Sequence, residues 1–157
     1  MLVRPIEPSD EDAYRAILEA TSAEDRYCRF FHMVDHFDTN EVRRFVETRD
    51  DTIGMIAFNG TTPLGAAHAV ALDAESAELA IVVARGVRHG GVGSALIDAL
   101  IARLKERGFR RLTACALREN HPFEHLAKRN GFVVDEADGA ALRWVLPLAA
   151  DEETAAR

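Results

Sequence analysis

A glycine-rich turn, Arg88-His89-Gly90-Gly91-Val92-Gly93, stands between an apolar stretch typical of a buried strand and the clearest helical pattern in the chain. That helical pattern has apolar residues at helical spacing, namely Val92, Ala95, Leu96, Ala99, Leu100 and Leu104. Glycines let the backbone approach a ligand and leave several amides directed into one cavity, and a helix start adds N–H donors and partial positive charge. The turn therefore predicts a pyrophosphate-like anion site over residues 88–94, with side-chain donors from Arg88, His89 and Ser94.

Two other phosphate-binding loops fit this turn less well. A dinucleotide-binding fold would need Gly-x-Gly-x-x-Gly close to the first strand, within a βαβ unit, whereas this turn falls past the middle of the chain. A Walker loop would need Gly-Lys-Ser/Thr, which is absent. A turn with a purely structural role is the remaining alternative.

Strand and helix patterns along the rest of the chain predict a mixed α/β sheet. Apolar stretches predict strands at 2–6, 53–58, 64–72, 77–84, 111–117, 132–134 and 141–148. Helical spacing and capping residues predict helices that begin near residues 10 and 38, and others at 26–31, 92–107 and 122–130, the last two stopped by Gly108 and Gly131. There is no repeat or linker, so residues 1–150 are predicted to form one domain and the charged residues 151–157 a frayed tail.

Composition narrows the class of partner. The 157 residues include 26 acidic and 19 basic ones, a formal net charge of −7, without a basic stretch of the kind that binds nucleic acid. No apolar run of about 18 residues predicts a membrane helix, and no signal-peptide pattern is present, so we expect a soluble cytoplasmic protein. Cys28 and Cys115 lie outside any CxxC pair and are both predicted to be buried. The acidic excess favours a cationic acceptor or serves solubility alone.

The strand at 78–84, the turn and helix start at 88–97, and the later Asn120 and Gly131-Phe132 resemble the GNAT superfamily of N-acetyltransferases. The order of elements is similar over nearly the whole chain. The resemblance implies an α/β (α+β) fold with a mixed, mostly antiparallel twisted sheet, flanked by helices and opened by a splayed central strand pair. It also implies acetyl-CoA as the co-substrate and an amine as the acceptor.

The same resemblance implies roles for particular residues. The CoA pyrophosphate would be held by the turn residues Arg88, His89, Gly90, Gly91, Val92, Gly93 and Ser94. The pantetheine arm would pair with the preceding strand at Ile81, Val82 and Val83, which offers an amide to the thioester carbonyl. Asn120 matches the asparagine whose side chain hydrogen-bonds the CoA arm, with an N-cap of the helix at 122 as the alternative interpretation.

A narrower resemblance, carried by residues 22–32, is to the helix preceding the sheet in bacterial Pat-type protein lysine acetyltransferases. It implies a protein lysine as acceptor and Glu78 as the general base. A base is needed because a lysine amine has a pKa of about 10.4, so only about one in a thousand is neutral near pH 7. The alternatives are an amphipathic helix packed on the sheet and, for Glu78, a carboxylate that faces solvent.

The chain departs from the family pattern in its last helix. Many GNAT enzymes have a Tyr there that protonates the leaving thiolate, within a pattern like Leu-Tyr-x-Lys-x-Gly-Phe. Here residues 126–132 place Ala127 at that position. The thiolate is then protonated by water or another donor, or needs none, since a thiol pKa of about 8.5 already makes it a fair leaving group.

Several other side chains have structural or weaker functional interpretations. His32 with His36, and His121 with His125, have metal-compatible spacing but lack a third ligand, so no metal is predicted. His68 is expected to be packed or at the surface. Four aromatic residues are expected in the core, namely Phe30, Phe31, Phe37 and Phe45. Three other residues are candidate acceptor contacts, namely Arg26, Tyr27 and Arg29.

Three functions are compatible with these patterns. The first is acetylation of a protein lysine, the second acetylation of a small amine, amino acid or antibiotic, and the third acyl-CoA sensing with weak catalysis. The sequence does not distinguish a monomer from a homodimer.

Overall fold

Seven strands and four helices are present in the computed structural model, which describes residues 1–20, 39–47, 49–87 and 90–148. The strands are β1 (Leu2–Pro5), β2 (Thr52–Asn59), β3 (Thr62–Ala71), β4 (Ser76–Val83), β5 (Arg111–Leu117), β6 (Val133–Asp138) and β7 (Ala141–Pro147). The helices in these ranges are α1 (Glu11–Glu19), α2 (Thr39–Val46), α3 (Val92–Glu106) and α4 (His121–Arg129). Short 3-10 turns lie at Pro8–Asp10 and Arg85–Val87.

The strands form one seven-stranded sheet in the order β1-β2-β3-β4-β5-β7-β6. All neighbours are antiparallel except β4 and β5, which are parallel. The parallel pair arises because α3 connects β4 to β5 as a crossover, as parallel neighbours require. The predicted mixed and mostly antiparallel sheet is confirmed.

The sheet opens between β4 and β5. Their register contains three pairs only, Ser76 with Arg111, Ala77 with Leu112 and Glu78 with Thr113. Beyond Glu78, β4 stays paired with β3 as far as Val83, while β5 stays paired with β7 as far as Leu117. Each strand therefore follows its outer neighbour, and the two separate. This is the splayed central pair that the sequence resemblance implies.

Helices cover both faces of the sheet. On one face α3 buries Leu96, Ile97, Leu100 and Leu104 against apolar residues of β2 to β5. On the other face α1 and α2 bury Tyr14, Ile17, Leu18, Val42 and Val46 against Ile56 and Ala66. Successive side chains of a strand point to opposite faces of the sheet. In β4, Leu79 therefore packs on the side of α3 and Val82 on the side of α1 and α2.

Gly65 brings the start of α3 close to the sheet. A Cβ atom at this position would lie 2.9 Å from the carbonyl oxygen of Val82 and 3.2 Å from Cγ1 of Val92. Without a side chain there, the first turn of α3 packs directly above the β3–β4 pair. This close approach places the helix start beside the open part of the sheet.

The predicted elements correspond to the observed ones with small shifts at their ends. Gly108 and Gly131 follow α3 and α4 with φ of 85° and 89°, as predicted for helix stops. The strand predicted at 132–134 is longer in the structure, at Val133–Asp138. The prediction was too short because all six residues are exposed and carry no alternating pattern. The helix predicted at 26–31 lies outside the described residues. None of the helices in the described ranges is long and apolar enough to span a membrane.

Candidate functional site

A cleft of about 850 Å³ passes through the opening between β4 and β5. Its walls come from β3, β4, β5, the end of α2 and the starts of α3 and α4. At one end it is lined by the start of α3 and by α4, and at the other end by Arg44, Arg49, Asp51, Val70 and Leu72. Glu78 pairs with Val70 and also lines the cleft. The cleft therefore connects the glycine-rich turn with the carboxylate predicted to be the base.

The open edge of β4 offers free backbone groups to the cleft. Ala84 N–H donates to Leu64 O at 2.8 Å, and Leu72 N–H donates to Ser76 O at 2.8 Å. Antiparallel alternation then directs the N–H and C=O groups of Ile81 and Val83 away from β3, into the gap. Val82 points its backbone groups to β3 instead and lines the cleft with its side chain. A ligand lying along this edge could pair with Ile81 and Val83 as a neighbouring strand would.

The start of α3 fits an anion. Gly91 is its N-cap, with φ of 81°, and no side chain in the described ranges caps the first N–H groups of the helix. The first turn contains no acidic residue. Gly91, Val92, Gly93 and Ser94 line the cleft, so these unpaired donors border it. Arg88 and His89 lie outside the described residues, and Gly90 is exposed, with its N–H donating to Val87 O at 3.3 Å.

Gly93 and Ser94 also join α3 to α4. A Cβ atom on Gly93 would lie 2.9 Å from Cδ1 and 3.0 Å from Cδ2 of Leu126, so a glycine permits this close helix contact. The Ser94 hydroxyl accepts a hydrogen bond from Nδ2 of Asn130 at 3.1 Å. A hydroxyl that accepts here keeps its own proton for donation into the cleft.

Asn120 is the N-cap of the last helix, as one of its two interpretations expects, and it also borders the cleft. Its Oδ1 accepts a hydrogen bond from Phe123 N–H at 3.1 Å, so the side chain is the N-cap of α4. Because capping uses only the oxygen, the amide nitrogen is left to donate, and Asn120 lines the cleft. The cap therefore fixes the orientation of the amide group at the cleft wall.

Two substitutions separate these roles of Asn120. Asp caps a helix as well as Asn but lacks the amide donor, whereas Ala lacks both and should cost about 1 kcal/mol of stability. If the amide binds the cofactor arm, Asn120→Asp and Asn120→Ala should both weaken acetyl-CoA binding about tenfold in titration calorimetry, while only Asn120→Ala lowers Tm. Affinity retained by Asn120→Asp and lost by Asn120→Ala would show that capping is the whole role.

Glu78 lies at the apex of the splay. It faces Val70 of β3 and forms with Thr113 the last pair before β4 and β5 separate. The residue is half-buried and lines the cleft. Among the described residues, no basic side chain lies within ion-pair distance of its carboxylate. Its carboxylate is therefore available to a ligand at the point where the sheet opens.

Cys115 corrects a prediction, because the residue is exposed rather than buried. It lies two positions beyond Thr113 on β5, where β4 no longer covers the strand, and it lines the cleft. Partial removal of water raises the pKa of its thiol, and the nearby Glu78 carboxylate raises it further. The thiol is therefore protonated near neutral pH and is a poor nucleophile. Cys28 lies outside the described residues.

His68 and Phe45 form a part of the wall that residue patterns did not identify. His68 is buried and Phe45 is half-buried, and both line the cleft near α2. The only available signal was a polar residue inside an apolar strand pattern, which indicates burial but not location.

No three His, Cys, Asp or Glu side chains in the described ranges are grouped closely enough to hold a metal ion. His32 and His36 lie outside those ranges.

An open strand edge that leads to an uncapped helix start is the architecture of a protein that binds an extended ligand with an anionic group. The sequence model of the acetyltransferase (GNAT) family matches residues 11–132, and the chain belongs to this family. It is an N-acetyltransferase that uses acetyl-CoA.

Solved structures share the fold over almost the entire chain. The GNAT domain of S. lividans PAT is 26% identical, with a TM-score of 0.87 over 93% of this chain and 89% of that one. The ribosomal-protein-S18-alanine N-acetyltransferase from Escherichia coli is 19% identical, with a TM-score of 0.73 over 94% of each chain. An aminoglycoside 6'-N-acetyltransferase complexed with coenzyme A is 15% identical, with a TM-score of 0.75 over 95% of this chain and 98% of that one. The latter two show a shared fold alone.

Proposed function

We propose that this protein acetylates the side-chain amine of a protein lysine, with Glu78 as the general base. The observation that carries this proposal is the position of Glu78 in the last β4–β5 pair, at the apex of the splay. From there its carboxylate borders both the open β4 edge and the end of the cleft near α2. A base in that position can reach an amine that approaches from the α2 end.

In the proposed reaction, Glu78 removes a proton from the lysine ammonium, so that the nitrogen carries a free electron pair. When bound, acetyl-CoA supplies the thioester, whose C–S bond breaks with its electron pair on sulfur as the new C–N bond forms. The nitrogen loses its second proton as the amide forms. One of the two protons ends on the CoA thiol and the other reaches solvent, so the atoms and charges balance.

The residues of the open edge and the helix start would hold the co-substrate. Ile81 and Val83 would pair with the pantetheine arm through their free backbone groups, and Val82 would contact it through its side chain. The N–H groups at Gly91 to Ser94, with Gly90 and the side chains of Arg88 and His89, would hold the pyrophosphate. Asn120 would donate its amide to the arm. Ala127 has no ionisable group, so this position supplies no acid for the leaving thiolate.

Two observations support a protein as the acceptor. Val70 and Leu72 are 38% and 56% exposed and line the cleft at its α2 end, next to Glu78. Exposed apolar side chains beside an active site are typical of a surface that receives a macromolecule. The second observation is the 26% identity with the GNAT domain of S. lividans PAT over 93% of the chain, which also favours a protein acceptor.

Acceptor competition tests the proposal. Thiol release from acetyl-CoA measures the reaction. The kcat/KM for N-terminally blocked lysine peptides should be about tenfold or more above that for small amines such as an aminoglycoside or a free amino acid. Matched peptides in which Arg replaces Lys should release no thiol, and mass spectrometry should place the acetyl group on the lysine nitrogen. Peptides with a free N-terminus and no lysine test the α-amine separately.

Each contrary result favours a named alternative. Higher kcat/KM with small amines would make this a small-molecule acetyltransferase. Tight acetyl-CoA binding in calorimetry without thiol release from any acceptor would indicate an acyl-CoA-sensing module.

A further inference from the structure

His68 is buried on the sheet face that also presents Glu78. The residue is 3% exposed and pairs with Ala80, two residues along β3 from the Val70–Glu78 pair. Few polar side chains are buried in the described part of the chain, and burying an imidazole requires hydrogen bonds that replace water. Its contacts therefore indicate what the residue does.

The imidazole connects the sheet to the end of α2. Its Nε2 atom lies 2.6 Å from the carbonyl oxygen of Phe45, the next-to-last residue of that helix. A carbonyl oxygen only accepts, so Nε2 carries the proton and donates it. The last carbonyl groups of a helix lack partners within the helix, and His68 satisfies one of them from the sheet.

The ring is held in place from several sides. Gly54 of β2 lies opposite His68, and a Cβ atom there would lie 3.0 Å from Cδ2 and 3.1 Å from Nε2 of the imidazole. The rings of Tyr14 and Phe45 each lie with their centroids 5.7 Å from the imidazole centroid. With β2 and these aromatic rings around it, the imidazole has little freedom to turn away from the Phe45 carbonyl.

We propose that His68 is a positioning residue that fixes the acceptor wall of the cleft through α2. Arg44, Phe45 and Arg49 line the cleft at the end of α2 and just after it. Anchoring the Phe45 carbonyl to β3 sets the distance between this wall and Glu78. The inference rests on the proposed function in one respect, that the acceptor enters at the α2 end.

A matched pair of amides tests this role. Gln places its amide nitrogen near the position of Nε2, whereas Asn is one methylene shorter and cannot reach the Phe45 carbonyl. We expect His68→Asn to raise the acceptor KM about five- to tenfold, with kcat and the acetyl-CoA KM within about twofold of wild type. His68→Gln should remain near wild type in all three quantities. Both variants bury the same amide and differ by one methylene, which sets the reach of the donor.

Hydrogen exchange supplies a readout that does not depend on activity. Amides of α2 should exchange about fivefold faster in His68→Asn than in His68→Gln, while those of α3 stay unchanged. Equal effects of the two variants, a rise in acetyl-CoA KM that matches the acceptor KM, or global unfolding of His68→Asn would each overturn the proposal. Failure of the proposed function gives a different result, because the wild-type protein would then acetylate no lysine peptide while the exchange difference persisted.

Discussion

Replacement of Glu78 by Gln is expected to lower kcat/KM for the acceptor by about 10²- to 10⁴-fold near neutral pH. This is the contribution typical of a positioned general base. Gln preserves the size of the side chain and its place at the apex of the splay but cannot accept the proton. The acetyl-CoA Kd should change little, because the variant keeps the open β4 edge and the start of α3.

The pH dependence of this variant makes the test sharper. Without a base, the kcat/KM of Glu78→Gln is proportional to the fraction of acceptor amine that is already neutral. This fraction rises about tenfold per pH unit below the lysine pKa of about 10.4. The deficit relative to wild type should therefore shrink as the pH approaches 10. A kcat/KM of Glu78→Gln equal to that of wild type near neutral pH would remove Glu78 from the role of base.

Glu75 provides a matched control for Glu78. It lies three residues earlier, is exposed, and its carboxylate lies 3.4 Å from the Arg111 guanidinium and 4.0 Å from that of Arg110. Exposed ion pairs of this kind contribute little to stability. Glu75→Gln should therefore retain wild-type kcat/KM, and a loss comparable to that of Glu78→Gln would indicate a general effect of removing negative charge.

Replacement of Gly91 by Val is expected to weaken acetyl-CoA binding at least about tenfold. Gly91 has φ of 81°, and a β-branched residue is strained in this left-handed conformation, which costs roughly 1–2 kcal/mol. The same conformation directs the first N–H groups of α3 at the cleft. Relief of the strain would turn those donors away from the anion, and the new side chain would occupy open space at the cleft wall.

Gly108 provides an unusually close control for Gly91. It follows the other end of the same helix with φ of 85°, and a Cβ atom at either glycine would meet nothing within 4 Å. Gly108→Val should therefore lower Tm by a similar amount while leaving acetyl-CoA affinity unchanged in calorimetry. Equal affinities for the two variants would contradict a cofactor site at the start of α3.

The local parts of this structure followed from residue patterns. Apolar spacing from Val92 to Leu104 predicted α3, because a helix is decided by neighbours within a turn or two. The glycines that end α3 and α4 were predicted for the same reason. β6 was predicted too short because its exposed residues follow no alternation, and its length depends on pairing with β7.

The site depended on contacts between distant residues. Asn120 both caps α4 and lines the cleft, and this combination depends on where α4 packs against the sheet. Cys115 was expected in the core because its strand is apolar, but the loss of its β4 neighbour exposes it. His68 reaches Phe45 across 23 residues and is seated against Gly54 on another strand. No local pattern encodes such contacts.

The sequence by itself determined the elements, the glycine-rich turn and the family resemblance, because these depend on short-range spacing and on residue types. The tertiary structure alone decided where β4 and β5 part, and therefore that Glu78 stands at the apex. That point is set by competition between strand pairings, since β4 keeps β3 and β5 keeps β7. Each strand pairs over its full length with only one neighbour, and the edge left unpaired becomes the site.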